Sequence, residues 1–123
     1  MIGGLEMSVS IENLTKTIVK FSEARDWKQF HNPKDLAISL SIEASELLEC
    51  FQWKDNNQIN ELLSGDYRES VEEEIADVGN YLLLLCNELG IDLSEIIEKK
   101  LIKNGIKYPV DKCKGNANKY NEL

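Results

Sequence analysis

Two pairs of carboxylates stand where a helical chain least readily places charge, and they constrain what this one can fold into. Glu43 and Glu46, and again Glu74 and Asp77, are each three residues apart. At about 100° per residue such a pair shares one helix face. On a helical wheel Glu43 falls among Leu36, Leu40, Leu47 and Cys50, the middle of an apolar stripe, and Trp53 lies beside Glu46. In the second segment Val71, Ile75, Val78, Leu82, Leu85 and Leu89 make the stripe, with Glu74 and Tyr81 at its edge and Asp77 between them. A carboxylate inside an apolar stripe must be protonated, paired or bound to a cation, because an isolated buried charge is too costly. Two such helices side by side bring four carboxylates together. Four oxygen ligands without a thiolate or imidazole pattern suit a hard cation, Mg²⁺ or Mn²⁺. A solvated charged face is the competing explanation of either pair taken alone.

With 123 residues the chain is expected to form a single domain, residues 1–123, with one core and little to spare. The net charge is −8 and no basic patch stands out apart from the lysines near the C-terminal end, which argues against a nucleic-acid surface. Part of that acidity belongs to the proposed site, where a divalent metal offsets it. Cys50, Cys86 and Cys113 are widely spaced and no C-x-x-C occurs, so neither a zinc knuckle nor a disulfide framework is indicated. Reduced thiols in a cytoplasm are the plain expectation. No basic segment followed by an apolar one opens the chain, and the run from Tyr81 to Cys86 is far too short to span a bilayer, so no membrane partner is expected.

In chain order, residues 1–8 show no periodicity and are expected to be a flexible leader. Ser10 can cap a first helix carrying Ile11, Leu14, Ile18 and Phe21 at helical spacing and running out near Arg25-Asp26. The connector after it, Trp27 to His31, holds two aromatics and the sole histidine. Trp27 and Phe30 either serve recognition or plug the end of the helices. Asn32-Pro33 with Asp35 marks the start of a second helix, expected to reach about Trp53. Lys54 to Asn57 is a polar break, and Ile59 to Leu63 adds a short turn. Asp66 with Glu69 predicts a capping box opening a third helix that stops at Leu89-Gly90. Asp92 with Glu95 repeats the pattern for a fourth, expected to end near Lys103, at Asn104-Gly105 with Pro109 beyond. Lys100 and Asn104 share a face on it and can meet an anionic ligand, although a solvated face explains each alone. Residues 110–123 are expected to be a flexible tail.

No stretch alternates apolar and polar residues. The fold class is therefore all-α, an antiparallel bundle of four helices with short connections. Leu82 to Leu85 make the third helix apolar most of the way round, which predicts self-association as a homo-oligomer, a dimer or tetramer.

Taken together, the residues resemble a known family. Glu43-x-x-Glu46, then Glu74-x-x-Asp77 beginning 28 positions after Glu46, is similar to the signature of the all-α nucleoside triphosphate pyrophosphohydrolases, the MazG-like superfamily. The dCTP pyrophosphatase branch is the most similar. Arg25 to His31 resembles that branch's R-D-W-x-Q-F-H, and Glu46 to Trp53 its E-L-x-E-x-F-Q-W. Asn104 with Lys107-Tyr108-Pro109, and Gly115 to Tyr120, resemble its closing segment. The resemblance spans roughly Ile11 to Tyr120. It implies Mg²⁺ ligands at Glu43, Glu46, Glu74 and Asp77, a base pocket shaped by Trp27, Phe30, His31 and Trp53, and Tyr81 alongside the metal site. Lys100 and Asn104 would meet phosphate or sugar. Ile18 departs from the vertebrate dCTP enzymes, which carry a histidine there; this leaves base and sugar preference open and touches none of the metal ligands.

The reaction implied is hydrolysis of a deoxynucleoside triphosphate, dCTP or a modified dCTP, to the monophosphate and pyrophosphate. A triphosphate beside four carboxylates would be repelled without Mg²⁺ between them. The attacking water would be metal-bound or oriented by a free carboxylate such as Glu46 or Glu49. Trp27 and Trp53 can stack on a pyrimidine, and His31 can bond the base edge or sugar. No seryl or cysteinyl nucleophile is required. The alternatives are an acidic helical adaptor that binds a basic partner without catalysis, and a carboxylate-bridged di-iron bundle, disfavoured because His31 lies in neither acidic pair. Phosphoribosyl-ATP pyrophosphatase, within the same superfamily, is disfavoured by the two tryptophan segments.

Overall fold

A computed structural model of the chain describes residues 9–122, so the expected leader lies outside the described residues. Among those residues the structure is helical, without strands. The first helix, α1 (Ile11–Glu23), begins as its sequence dictates, the Ser10 side chain accepting a hydrogen bond from the Asn13 N–H at 3.1 Å. A single 3₁₀ turn at Lys28–Phe30 follows, then α2 (Pro33–Glu49), where Asn32 accepts from the Asp35 N–H and Pro33 opens the helix.

Several boundaries differ from expectation, each for a local reason. α2 ends at Glu49 rather than near Trp53. The Phe51 and Gln52 N–H groups both fold back on the Leu48 carbonyl, the Tyr67 hydroxyl donates to the Cys50 carbonyl at 2.7 Å, and Trp53 takes a left-handed φ of 68°. The polar stretch after it is partly helical: α3 (Asn56–Leu63) starts early because Asp55 and Gln58 form a reciprocal capping box. Asp66, by contrast, caps nothing, because its own backbone is already helical at the start of α4 (Tyr67–Leu89). Gly90, at φ 66°, supplies the left-handed stop expected of it. In α5 (Leu93–Lys107) Asp92 caps the start by accepting from the Glu95 N–H. This helix runs through Asn104-Gly105 and stops only before Pro109, which forces Tyr108 out of helical geometry. The tail is not featureless, holding a turn of helix, α6 (Val110–Cys113), and a 3₁₀ turn at Tyr120–Glu122.

The chain divides into two compact units, one ending at Gly90 and the other beginning at Ile91. In the first, α4 is the hub: α2 packs along it most extensively, and α1 and α3 also contact it. Leu36 of α2 is 1% exposed and anchors the core with Val71, Leu83, Leu84, Cys50 and Cys86. With more than one helix packed on α4, burial extends to Leu83 and Leu84, outside the expected stripe. Ile75 and Leu89, expected inside, are 53% and 49% exposed. The second unit consists of α5, α6 and the closing 3₁₀ turn, and its α5 carries Lys100 and Asn104 one turn apart. No helix among the described residues is long and apolar enough to cross a membrane.

Candidate metal centre and adjoining cleft

The two expected acidic pairs meet. α2 brings Glu43 and Glu46, α4 brings Glu74, and carboxylate oxygens of the three lie within 4.8 Å of one another. All three side chains are half-buried, as their place on the α2–α4 seam requires. Asp77, one turn beyond Glu74, is outside that closest set, yet its charge acts on both Glu43 and Glu74.

The electrostatic strain is concentrated at two positions. Burial pushes the Glu43 carboxyl up to about 7, helped by a hydrogen bond with Glu46 and then by the charges of Glu46, Asp77 and Glu74. Glu74 is raised too, first by burial, then by the charge and hydrogen bond of Glu46, then by Asp77 and Glu73. One oxygen of each, Oε2 of Glu43 and Oε2 of Glu74, is buried without a hydrogen-bond partner. Unsatisfied buried carboxylate oxygens are expensive. They belong to side chains on two packed helices whose carboxylates make an all-oxygen donor set, the kind a hard divalent cation takes. The residues therefore fit a divalent-cation centre, with Asp77 within electrostatic reach.

A cleft of about 390 Å³ is lined in part by Asp77, whose charge acts on the cluster. Its apolar walls are Ile18 and Phe21 of α1, Trp27 of the connector and Leu84 of α4. The aromatic wall is braced: Phe21 meets Trp27 edge-on at 5.8 Å, and the Arg25 guanidinium lies 3.6 Å over the Phe21 ring while its Nη1 donates to the Phe21 carbonyl. Such T-shaped and cation–π contacts hold rings in fixed orientation. Polar groups enter from Thr17, Ser22, His31, Asn80 and Tyr81.

The structure thus gathers Glu43, Glu46 and Glu74, sets Asp77 beside them, and lines the cleft with Trp27, His31 and Tyr81. Phe30 is exposed and absent from the cleft lining, as is Trp53, which is 91% exposed; Lys100 and Asn104 lie on α5, in the second unit. Sequence reasoning missed Thr17, Phe21, Ser22 and Asn80. Phe21 enters the sequence reading only as an apolar residue at helical spacing; the available signal is Arg25 four residues on, a spacing that stacks a cation on a ring. Ile18, singled out for departing from the dCTP enzymes, does line the cleft.

Fold and site define a helical protein with an acidic cation centre and an aromatic cleft. The MazG-like family model matches residues 38–123. The dCTP pyrophosphatase 1 proteins of Mus musculus and Homo sapiens are 34% and 33% identical over 115 residues, covering 93% of this chain and 68% of each relative. A solved pyrophosphatase structure from Archaeoglobus fulgidus superimposes with a TM-score of 0.76 at 43% identity, over 83% of this chain and 94% of the other. The chain belongs to the MazG-like family.

Proposed function

We propose that this chain, a hydrolase acting on nucleotide pyrophosphate bonds, is a Mg²⁺-dependent enzyme that converts a deoxynucleoside triphosphate to its monophosphate and pyrophosphate. Its substrate is dCTP or a modified dCTP. The observation that carries the reading is the pair of orphaned oxygens on Glu43 and Glu74, in a cluster where carboxylate oxygens of Glu43, Glu46 and Glu74 lie within 4.8 Å of one another. The similarity to dCTP pyrophosphatase 1 supports the choice of base, and the braced wall of Phe21 and Trp27 supports a flat ring in the cleft.

Glu43, Glu46, Glu74 and Asp77 would hold the metal. Mg²⁺ held there would supply charge neutralisation between the carboxylates and the triphosphate and for the departing pyrophosphate. Glu46, in contact with both Glu43 and Glu74, orients the attacking water and accepts its proton as the bond to the α-phosphorus forms. Trp27, His31 and Tyr81 bind base and sugar, and the assignment of Phe30, Trp53, Lys100 and Asn104 to substrate rests on the family resemblance. The left-handed, almost fully exposed Trp53 is a strained presentation of a large ring, which supports a role in contact with ligand or with a second copy. We place the chain in the cytoplasm as a single-domain protein that self-associates as a dimer or tetramer, with no membrane or nucleic-acid partner. The exposed Leu101, Ile102 and Ile106 of α5 support that association.

Product analysis tests the reaction. Incubation with dCTP and Mg²⁺ is expected to yield dCMP and pyrophosphate in equal amounts, with none in EDTA. Glu43→Gln and Asp77→Asn are expected to abolish turnover while leaving helicity intact. Orthophosphate release, or turnover retained in both variants, would refute the proposal.

A further inference from the structure

Resting on that reading, we infer that the carboxamide of Asn80 reads the hydrogen-bonding edge of the base, and that it is the residue setting this enzyme's base preference. Asn80 lies on α4 one turn past Asp77, about 4.5 Å further along the helix axis. The order along α4 is therefore acidic cluster, Asp77, then Asn80 and Tyr81, then Leu84. A nucleotide with its phosphates at the cluster runs its sugar past Asp77 and brings its base to Asn80. The apolar walls fix the plane of a ring there but cannot tell one edge from another.

Of the cleft's polar residues, His31 and Tyr81 are assigned to base and sugar, while Thr17, Ser22 and Asp77 are engaged or buried. The Thr17 hydroxyl is already donated to the Asn13 carbonyl at 3.1 Å. The Ser22 carbonyl accepts from the N–H groups of Arg25 and Trp27, and its side chain is only 4% exposed. Asp77 belongs electrostatically to the acidic cluster. Among the described residues Asn80 is the only carboxamide lining the cleft, and its side chain makes no hydrogen bond with them. It presents a donor and an acceptor side by side, as does a pyrimidine: amino group and ring nitrogen in cytosine, carbonyl and ring N–H in uracil or thymine. Asn80 stands well inside the 23 residues of α4 and caps neither end of it.

The test compares dCTP, dTTP, dUTP and dATP for the wild type, Asn80→Leu and Asn80→Asp. Pyrophosphate release is measured at fixed Mg²⁺, and binding of the corresponding α,β-imido analogues is measured in parallel. The wild type is expected to prefer one pyrimidine. Asn80→Leu is expected to lose about ten- to hundredfold of that preference, the value of one two-point base contact, with the loss in KM rather than kcat. Asn80→Asp, which only accepts, is expected to favour the amino-bearing base. A flat wild-type profile, or an Asn80→Leu variant with the wild-type ranking in both turnover and binding, would overturn the inference. If no pyrophosphate is released but analogue binding depends on Asn80, the hydrolase reading fails and the base reading stands. If no analogue binds at all, both fail.

Discussion

Removing divalent metal should make this protein's stability fall with rising pH in a way that Glu43 largely controls. The Glu43 carboxyl is raised from 4.5 to about 7 in the fold, so between those values the native state holds a proton that the unfolded chain releases. A group raised in this sense contributes its full stability below about 4.5 and loses it as pH climbs through about 7. At about 1.36 kcal/mol for each tenfold change in acidity, the whole difference is worth about 3 kcal/mol. Solvent reaching a half-buried seam reduces this to about 1–2 kcal/mol. For a chain of this size that is a fall of about 4–8 °C in Tm between pH 5 and pH 8 in EDTA, with Glu74 acting in the same direction. Glu43→Gln removes the ionisation. In EDTA at pH 8 it should therefore melt about 3–6 °C above the wild type, while at pH 5 the two should nearly coincide. Saturating Mg²⁺ should raise the wild type more than the variant. The assay is thermal unfolding followed by far-UV circular dichroism across pH, with and without EDTA. A wild-type Tm that stays level or rises from pH 5 to pH 8, or a variant no more stable at pH 8, would refute the claim that strained carboxylates of α2 and α4 cluster together.

Two further substitutions test the frame that holds the site. Leu36→Ala removes the most deeply buried side chain of the first unit and should cost about 3 kcal/mol, measured by urea unfolding; a loss under about 1 kcal/mol would show that Leu36 is not a core anchor. Tyr67→Phe deletes the bond to the Cys50 carbonyl at 2.7 Å and should cost about 1–2 kcal/mol. It should also free the turn that carries Trp53, seen as increased quenching or altered anisotropy of tryptophan fluorescence, and an unchanged Tm and fluorescence would show that the bond does not hold the end of α2.

What the sequence disclosed and what it hid divide along a physical line. Helix starts were legible wherever a side chain caps its own helix, as at Ser10, Asn32 and Asp92, because the signal lies within three residues of the event. Asp66 carried the same local pattern and failed, since capping also needs an extended backbone at the cap and the turn from Gly65 had already entered helical geometry. The end of α2 was illegible because one of the contacts that shape it comes from Tyr67, 17 residues away. The site divides in the same way. A carboxylate inside an apolar stripe is a contradiction visible on a helical wheel, so Glu43, Glu46, Glu74 and Asp77 stood out before any geometry. Phe21 and Asn80 broke no such rule: an aromatic on a helix stripe passes for core, and one asparagine on a long polar-edged helix passes for solvated surface. Metal sites advertise themselves through the cost of burying charge, whereas specificity pockets are assembled from residues individually unremarkable. The acidic cluster is therefore readable from one chain's sequence well before the cleft. The cleft depends on α1 and α4 together setting Ile18, Phe21 and Asn80 around one space.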